Sequence, residues 1–389
     1  MANWLIPDNF ADILPQQART LEKLRRDTLD LFVSHGFELV QPPMIEFVDS
    51  LLTGSGSDLD NNTFKFMDQA GGRMIGLRAD MTPQAARIDA HILNRSGVSR
   101  LCYAGSCIHA RPMHPLASRE PVVAGAELFG VSGIEADAEI MTLAVATLRK
   151  LGVSPVHIDI GHTGVLRALV GDNPSEASIH ALVRALRMKD PVALAQASVD
   201  FDEETQAALQ TLVRNFGDES VLDVLEKELP DRPGIREALE EVRQLAKMCT
   251  ADEYSFDFCD VHGYQYLTGI TFSVNIQQYA QAILRGGRYD GVGLAFGRSR
   301  PACGFSIYLR ALAGVTQLQL PAQPEAIVAR ESFDEAYRQK VEELRSKGNI
   351  VIGLLPGEKL EDVQKQFRVT YELVRTPAGI ELVNLQTKE

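Results

Sequence analysis

Cys107, His109 and His114 fall within the stretch AGSCIHARPMHPLASRE, residues 104–120. A thiolate and two imidazoles are the soft and borderline ligands that zinc selects. A structural zinc site takes four such ligands in regularly spaced pairs, and no second pair accompanies these three. The other reading is a buried thiol with two loop histidines, His109 at a strand end and His114 between Pro112 and Pro115. No metal ligand and no cofactor is expected.

Two other stretches carry chemistry. In RGGRYDG, residues 285–291, Gly286 and Gly287 permit close backbone approach or positive φ. Arg288 offers a planar fork to a carboxylate or phosphate, and Tyr289 a phenol. A turn between strand and helix explains the same glycines without a ligand, and neither a P-loop nor a dinucleotide fingerprint is present. In GLRADMTPQAAR, Asp80 and Thr82 fall just before or at a helix N-terminus. There a carboxylate and a hydroxyl satisfy orphan N–H groups, so capping alone accounts for them. No GxSxG elbow, HExxH pair or kinase set occurs.

The elements that must position these residues follow from periodicity. Leu21, Leu24, Leu31 and Phe32 predict a helix over 16–35, stopped by Gly36. FELVQPPMIEF reads as a short strand broken by Pro42 and Pro43. FKFMDQAGGRMIGLRAD reads as a hairpin about Gly71 and Gly72. MTPQAARIDAHIL is a helix with Thr82 as N-cap and Pro83 at its first position. RLCYAGSCIHA and VVAGAELFGV are strands, EADAEIMTLAVATLRKLG a helix, PVHIDIGH a strand. Residues 171–249 turn purely helical, as an insertion. Strands resume in YSFDFCDVHGYQYLTGITFSVNI. RGGRYDGVGLAFG is a turn and ACGFSIYLRALAGV a helix. From 322 to 389 the composition describes a small α/β unit. Strand runs with segregated helices predict α+β rather than a doubly wound sheet.

Bulk composition bounds the function. At 45% hydrophobic and 23% charged, 389 residues make an ordinary globular chain. The net charge of -13 argues against nucleic-acid gripping as its main work. Five irregularly spaced cysteines predict free buried thiols in a reducing cytoplasm. The opening MANWLIPDNFADILP does not read as a secretory signal, and no apolar run suits a spanning helix.

Read together, the segments resemble the core of histidyl-tRNA synthetase, a class II aminoacyl-tRNA synthetase. HGFELVQPPMIE, with Gly36, Pro43 and Glu46, is similar to its first motif; LRADMTPQAAR and GAELFG follow in order. HGYQYLTGITF and RGGRYDG resemble its histidine signatures, and PACGFSIYLRAL its third motif. The resemblance covers about residues 7–315. It implies an antiparallel sheet flanked by helices in a core over 1–321, the insertion at 171–249, and a separate unit over 322–389.

Three departures matter. Adenylate formation concentrates negative charge that arginines must offset. Where the family's second motif has arginine, this chain has Ile108 or His109, depending on the anchor used; its acidic partner is Ala110. The third-motif arginine position is Ala311; Arg310 lies one residue early, about 100° around a helix. The histidine signature begins with His262 instead of arginine. The combined loss resembles the paralogous family of ATP phosphoribosyltransferase regulatory subunits, as do RLCYAGS, SREP and GAELFG.

That resemblance implies a non-catalytic subunit in histidine biosynthesis. It would partner a short-form catalytic subunit, dimerise through its core and take histidine as effector, without nucleic acid or membrane. The alternatives are an active histidine-activating enzyme and an inactive tRNA-binding module. By matching position, Asp80 would face the α-amino group with Thr82 in support. Glu127 would accept from the imidazole, and Tyr289 would lie along the ligand. Gly286 and Gly287 would admit the backbone, with Tyr264 and Tyr266 from the signature nearby. Val123 and Leu267 replace a glutamine and a tyrosine of the family. Each lost partner weakens polar binding by about 1–3 kcal/mol where a group is left unpaired.

Overall fold

The computed structural model describes residues 4–53, 57–171, 174–279, 281–318, 320–330 and 334–385. The chain divides into two compact units, Met1–Leu318 and Gln319–Glu389.

The larger unit opens with helix α1 (Pro15–Ser34), which buries Leu24, Leu29 and Phe32 and ends before Gly36 at φ +83°. Next come β1 (Glu38–Leu39), β2 (Ile45–Phe47), α2 (Val48–Leu52) and α3 (Ser57–Asn62). The hairpin β3 (Lys65–Met67) and β4 (Met74–Leu77) follows, then α4 (Thr82–Arg87). A π-helical turn, Ile88–Leu93, extends α4 before β5 (Ser99–Ser106), β6 (Val122–Phe129) and α5 (Ile134–Lys150). β7 (His157–His162) and α6 (Thr163–Val170) precede the insertion. Its helices are α7 (Glu176–Arg187), α8 (Pro191–Ala197), α9 (Glu203–Arg214), α10 (Ser220–Glu228) and α11 (Ile235–Met248). The chain then returns through β8 (Glu253–Phe256), β9 (Ile270–Val274), β10 (Leu284–Arg288), β11 (Ala302–Tyr308) and α12 (Leu309–Leu312).

Eight strands form one sheet in the order β1-β5-β6-β11-β10-β9-β7-β8. Every central pair is antiparallel, and only the outer pairs β1–β5 and β7–β8 run parallel. One apolar cluster joins α1, α5, the sheet and the insertion helices. Two buried ion pairs fix the frame around the site. Arg288 on β10 donates to Asp137 on α5 at 2.6 Å, and Arg300 holds Asp89 of the π turn through 2.9 Å bonds to both oxygens. Breaking one partner of such a pair strands a buried charge, which is what makes them rigid.

Four local expectations need correction. RGGR is not a turn: it lies inside β10, and only the 3₁₀ turn Val292–Phe296 follows it. ACGFSIY is strand β11, not helix; helix α12 begins only at Leu309. Both faces of β11 are covered, so its apolar run shows no period of two, and periodicity cannot separate a buried strand from a helix. FELVQPPMIEF supplies two strands to two sheets, since Pro42 and Pro43 stop the ladder and β2 pairs instead with β4. Met81, not Thr82, caps α4, with Thr82 and Pro83 in the first turn.

The smaller unit contains β12 (Glu325–Arg330), α13 (Glu335–Ser346), β13 (Val351–Leu354), α14 (Leu360–Gln364), β14 (Arg368–Thr376) and β15 (Gly379–Asn384). Its sheet order is β13-β12-β14-β15. Ile327 and Ala329 pack with Tyr337 and Leu344 of α13, while Val328 packs with Val363 of α14. Alternation along β12 therefore sends its side chains to two separate cores.

Candidate functional site

Glu127 lies in the buried middle of β6, opposite Gly304 of β11. A Cβ at 304 would sit 1.7 Å from Glu127 Oε2, so the glycine provides the carboxylate's space. Tyr103 of β5 pairs with Gly125, whose missing side chain admits the phenol ring: a Cβ there would lie 2.4 Å from it. The Tyr103 hydroxyl donates to Glu127 Oε1 at 2.8 Å, and the Tyr289 hydroxyl donates to Oε2. Thr82 Oγ1 lies 3.1 Å from the Tyr103 hydroxyl, with Ser306 Oγ at 3.2 Å. Burial pushes the Glu127 carboxyl up to about 8, against the pull of both tyrosine hydroxyls.

Thr82 joins this network to a cavity of ≈650 Å³. Asp80, Thr82, His262, Tyr264 and Tyr266 of the core line it, as do His180, Arg184 and Arg187 of helix α7. Asp80 Oδ1 accepts the Thr82 N–H at 3.1 Å, which fixes its carboxylate at the start of α4. Gly263, at φ +72°, turns the chain between His262 and Tyr264. Arg167 of α6 clamps that turn by donating to the carbonyls of Tyr264 and Leu267 at 2.5 and 2.9 Å. Its guanidinium stacks 4.5 Å over the Tyr264 ring.

The expected site residues thus divide. Asp80, Thr82, Tyr264, Tyr266 and His262 reach the cavity. Glu127 and Tyr289 do not line it; they are buried behind it and satisfy each other. Gly286 and Gly287 do not line it either. A Cβ on Gly286 would meet the Phe272 ring at 2.3 Å, and one on Gly287 the Ile270 carbonyl at 2.6 Å. Sheet packing demands both glycines. Val123 and Leu267 sit in an apolar cluster with Met81, Tyr103, Tyr289 and Val292, so no polar group is stranded where they stand. Tyr103, His180, Arg184 and Arg187 were missed. The sequence does carry a signal for the last three: positions 180, 184 and 187 share one face of a helix.

Cys107, His109 and His114 are not brought into a ligand cluster among the described residues. Among the described residues no three His, Cys, Asp or Glu side chains are grouped to hold an ion. His109 is buried, with Nε2 donating to the Ala79 carbonyl at 3.1 Å, and burial lowers its pKa. The Cys107 thiol is pushed up to about 12 by burial. His114 meets the edge of Tyr279 at 5.9 Å. Ile108 and Ala311 are half-buried. Three arginines of this neighbourhood donate to main-chain carbonyls. Arg78 donates to Pro42 and Ser106, Arg119 to His109 and Ala110, and Arg310 to Ala11 and Glu120, all at 2.7–3.1 Å.

This antiparallel sheet, with the cavity between α4 and the histidine-type signature, is the fold of histidyl-tRNA synthetases. The family model described as histidyl-tRNA synthetase matches residues 9–312, and that described as ATP phosphoribosyltransferase subunit HisZ C-terminal domain matches 324–379. An ATP phosphoribosyltransferase regulatory subunit/histidyl-tRNA synthetase from Bacillus halodurans C superposes with a TM-score of 0.80 at 24% identity, covering 95% of this chain and 98% of that one. Histidyl-tRNA synthetase from Nostoc sp. PCC 7120 gives 0.78 at 20%, covering 100% and 96%. Two curated relatives are much nearer. The ATP phosphoribosyltransferase regulatory subunit of Janthinobacterium sp. (strain Marseille) is 47% identical over 96% of this chain and 97% of its own. That of Cupriavidus necator is 47% identical over 97% and 98%. The chain belongs to the family of ATP phosphoribosyltransferase regulatory subunits.

Proposed function

We propose that this chain is a non-catalytic subunit that assembles with a short-form catalytic ATP phosphoribosyltransferase, raises its activity and helps transmit feedback inhibition by histidine. One observation carries the reading. At the positions where a synthetase would place the arginines that hold ATP or polarise the substrate stand Ile108 or His109, His262 and Ala311, and Arg78, Arg119 and Arg310 nearby are engaged by backbone carbonyls. A guanidinium committed to neutral carbonyls leaves the developing charge of an adenylate without its counter-ion.

The cavity is the histidine site in this proposal. Asp80 receives the ammonium group, supported by Thr82, and the aromatic rings of Tyr264 and Tyr266 flank the ligand. Glu127, holding Tyr103 and Tyr289, braces the wall rather than touching the ligand. The core is also where a second copy docks. Ile45, Phe47, Phe66, Met67 and Met74, all on the three-stranded sheet β2-β4-β3, are 38–54% exposed, which is apolar surface awaiting a partner. Neither a cofactor nor nucleic acid enters the proposal. Among the described residues no helix is long and apolar enough to cross a membrane, and the work assigned here belongs to the cytoplasm.

Histidine-dependent ATP–pyrophosphate exchange separates this reading from an active histidine-activating enzyme. The purified chain is expected to show no exchange above background. Exchange that depends on histidine would restore the enzymatic reading.

A further inference from the structure

Helix α7 has two faces. Leu182, Ala185 and Leu186 are buried in the main apolar cluster, while His180, Arg184 and Arg187 line the cavity. Asp80 lines the same cavity. Among the described lining residues Asp80 is the one carboxylate, and Arg184 and Arg187 are the two fixed cations. The cavity is therefore polarised, with negative charge at the start of α4 and positive charge on the insertion.

Arg187 is aimed by the core. Its guanidinium donates to His262 Nε2, and His262 Nδ1 meets Asp260. Asp260 accepts from Arg285 Nη1 at 2.9 Å and from Ser273 Oγ at 3.1 Å. A carboxylate can only accept and a guanidinium can only donate. The ring is thus fixed as the tautomer with its proton on Nδ1, leaving the Nε2 lone pair to orient the arginine. Gln265 Nε2 makes a second tie to α7, 2.6 Å from His180 Nε2. Arg184 stands one turn before Arg187 on the same face, and its side chain has no acidic partner among the described residues.

We infer that Arg184 and Arg187 of the helical insertion form the anion-binding wall of this cavity, receiving the carboxylate of the amino acid whose ammonium group faces Asp80. The inference rests on the reading of the cavity as a histidine site and adds its specificity determinants. Guanidinium forks suit a carboxylate because they can donate two parallel N–H bonds. The position occupied by His262 acquires a purpose: it orients a cation supplied by another helix. An α-amino acid head group held by Asp80 and by these arginines also ties the insertion to the core, so occupancy is reported as a change in how α7 is held.

The test is calorimetric titration of the full chain with L-histidine and with L-histidinol, which replaces the carboxylate by an alcohol. The wild-type chain is expected to prefer histidine by about tenfold or more, the order of a charge-assisted hydrogen bond. The double variant Arg184→Gln/Arg187→Gln should lose that preference through weaker histidine binding, with histidinol binding unchanged. Both residues are exposed, and an unaltered thermal transition establishes that the variant folds. Equal binding of the two ligands by the wild-type chain overturns the inference while sparing the histidine site. So does a preference that survives in the double variant. Binding of neither ligand by the wild-type chain overturns the histidine site itself, and the inference with it.

Discussion

Glu127 and Gly304 face each other across the β6–β11 pair, and the carboxylate occupies the volume a side chain at 304 would need. Gly304→Ala must therefore displace Glu127 or part the strands. Overpacking of this kind costs about 1–3 kcal/mol, read from urea denaturation. Gly291→Ala is the control, because a Cβ there meets nothing within 4 Å, and it should change stability by less than about 0.5 kcal/mol. Equal effects at the two glycines would mean that Glu127 is not held where β11 puts it.

The same carboxyl makes stability depend on pH in an unusual direction. Its pKa is raised from 4.5 to about 8 by burial, so the folded chain keeps a proton that the unfolded chain has released. Stability from this group is complete below 4.5, declines as pH rises and is lost above about 8. Glu127→Gln cannot titrate, so the variant should gain on the wild-type chain across that window in urea denaturation. Parallel pH profiles would show that Glu127 is ionised in the folded protein.

The five cysteines are all free and buried. Burial pushes Cys102, Cys107 and Cys259 up to about 12 and Cys249 up to about 11, and raises Cys303 well above the ordinary thiol value. Since the thiolate is the reactive form, none should react readily with Ellman's reagent in the native chain, and all five should react in urea. A fast native thiol at Cys107 would reopen the question of ligand chemistry in residues 104–120.

The order of elements was legible because the helices α1, α5 and α7–α11 are amphipathic and the motifs come in sequence. The C-terminal unit was legible from the short apolar run of β12 and the polar-faced helix after it. What periodicity could not reveal was β11, covered on both faces, or the placing of Gly286 and Gly287 inside β10. Matching positions led to Asp80, Thr82, Tyr264 and Tyr266, all of which line the cavity, as does His262 at a position where the family has arginine. Glu127 and Tyr289, matched in the same way, do not line it, and a linear motif does not say that the hydroxyls of Tyr103 and Tyr289 take up both carboxylate oxygens. Arg184 and Arg187 stayed hidden because the insertion is remote from every motif in sequence and meets the pocket only through the fold.

Regulation of a partner enzyme is the central role proposed for this chain. The direct measurement is the rate of phosphoribosyl transfer by a purified short-form ATP phosphoribosyltransferase as this chain is titrated in, with and without histidine. The rate is expected to rise to a plateau at a fixed ratio of the two chains, and histidine is expected to suppress the activated rate. A rate and a histidine sensitivity that are the same with and without this chain would contradict it.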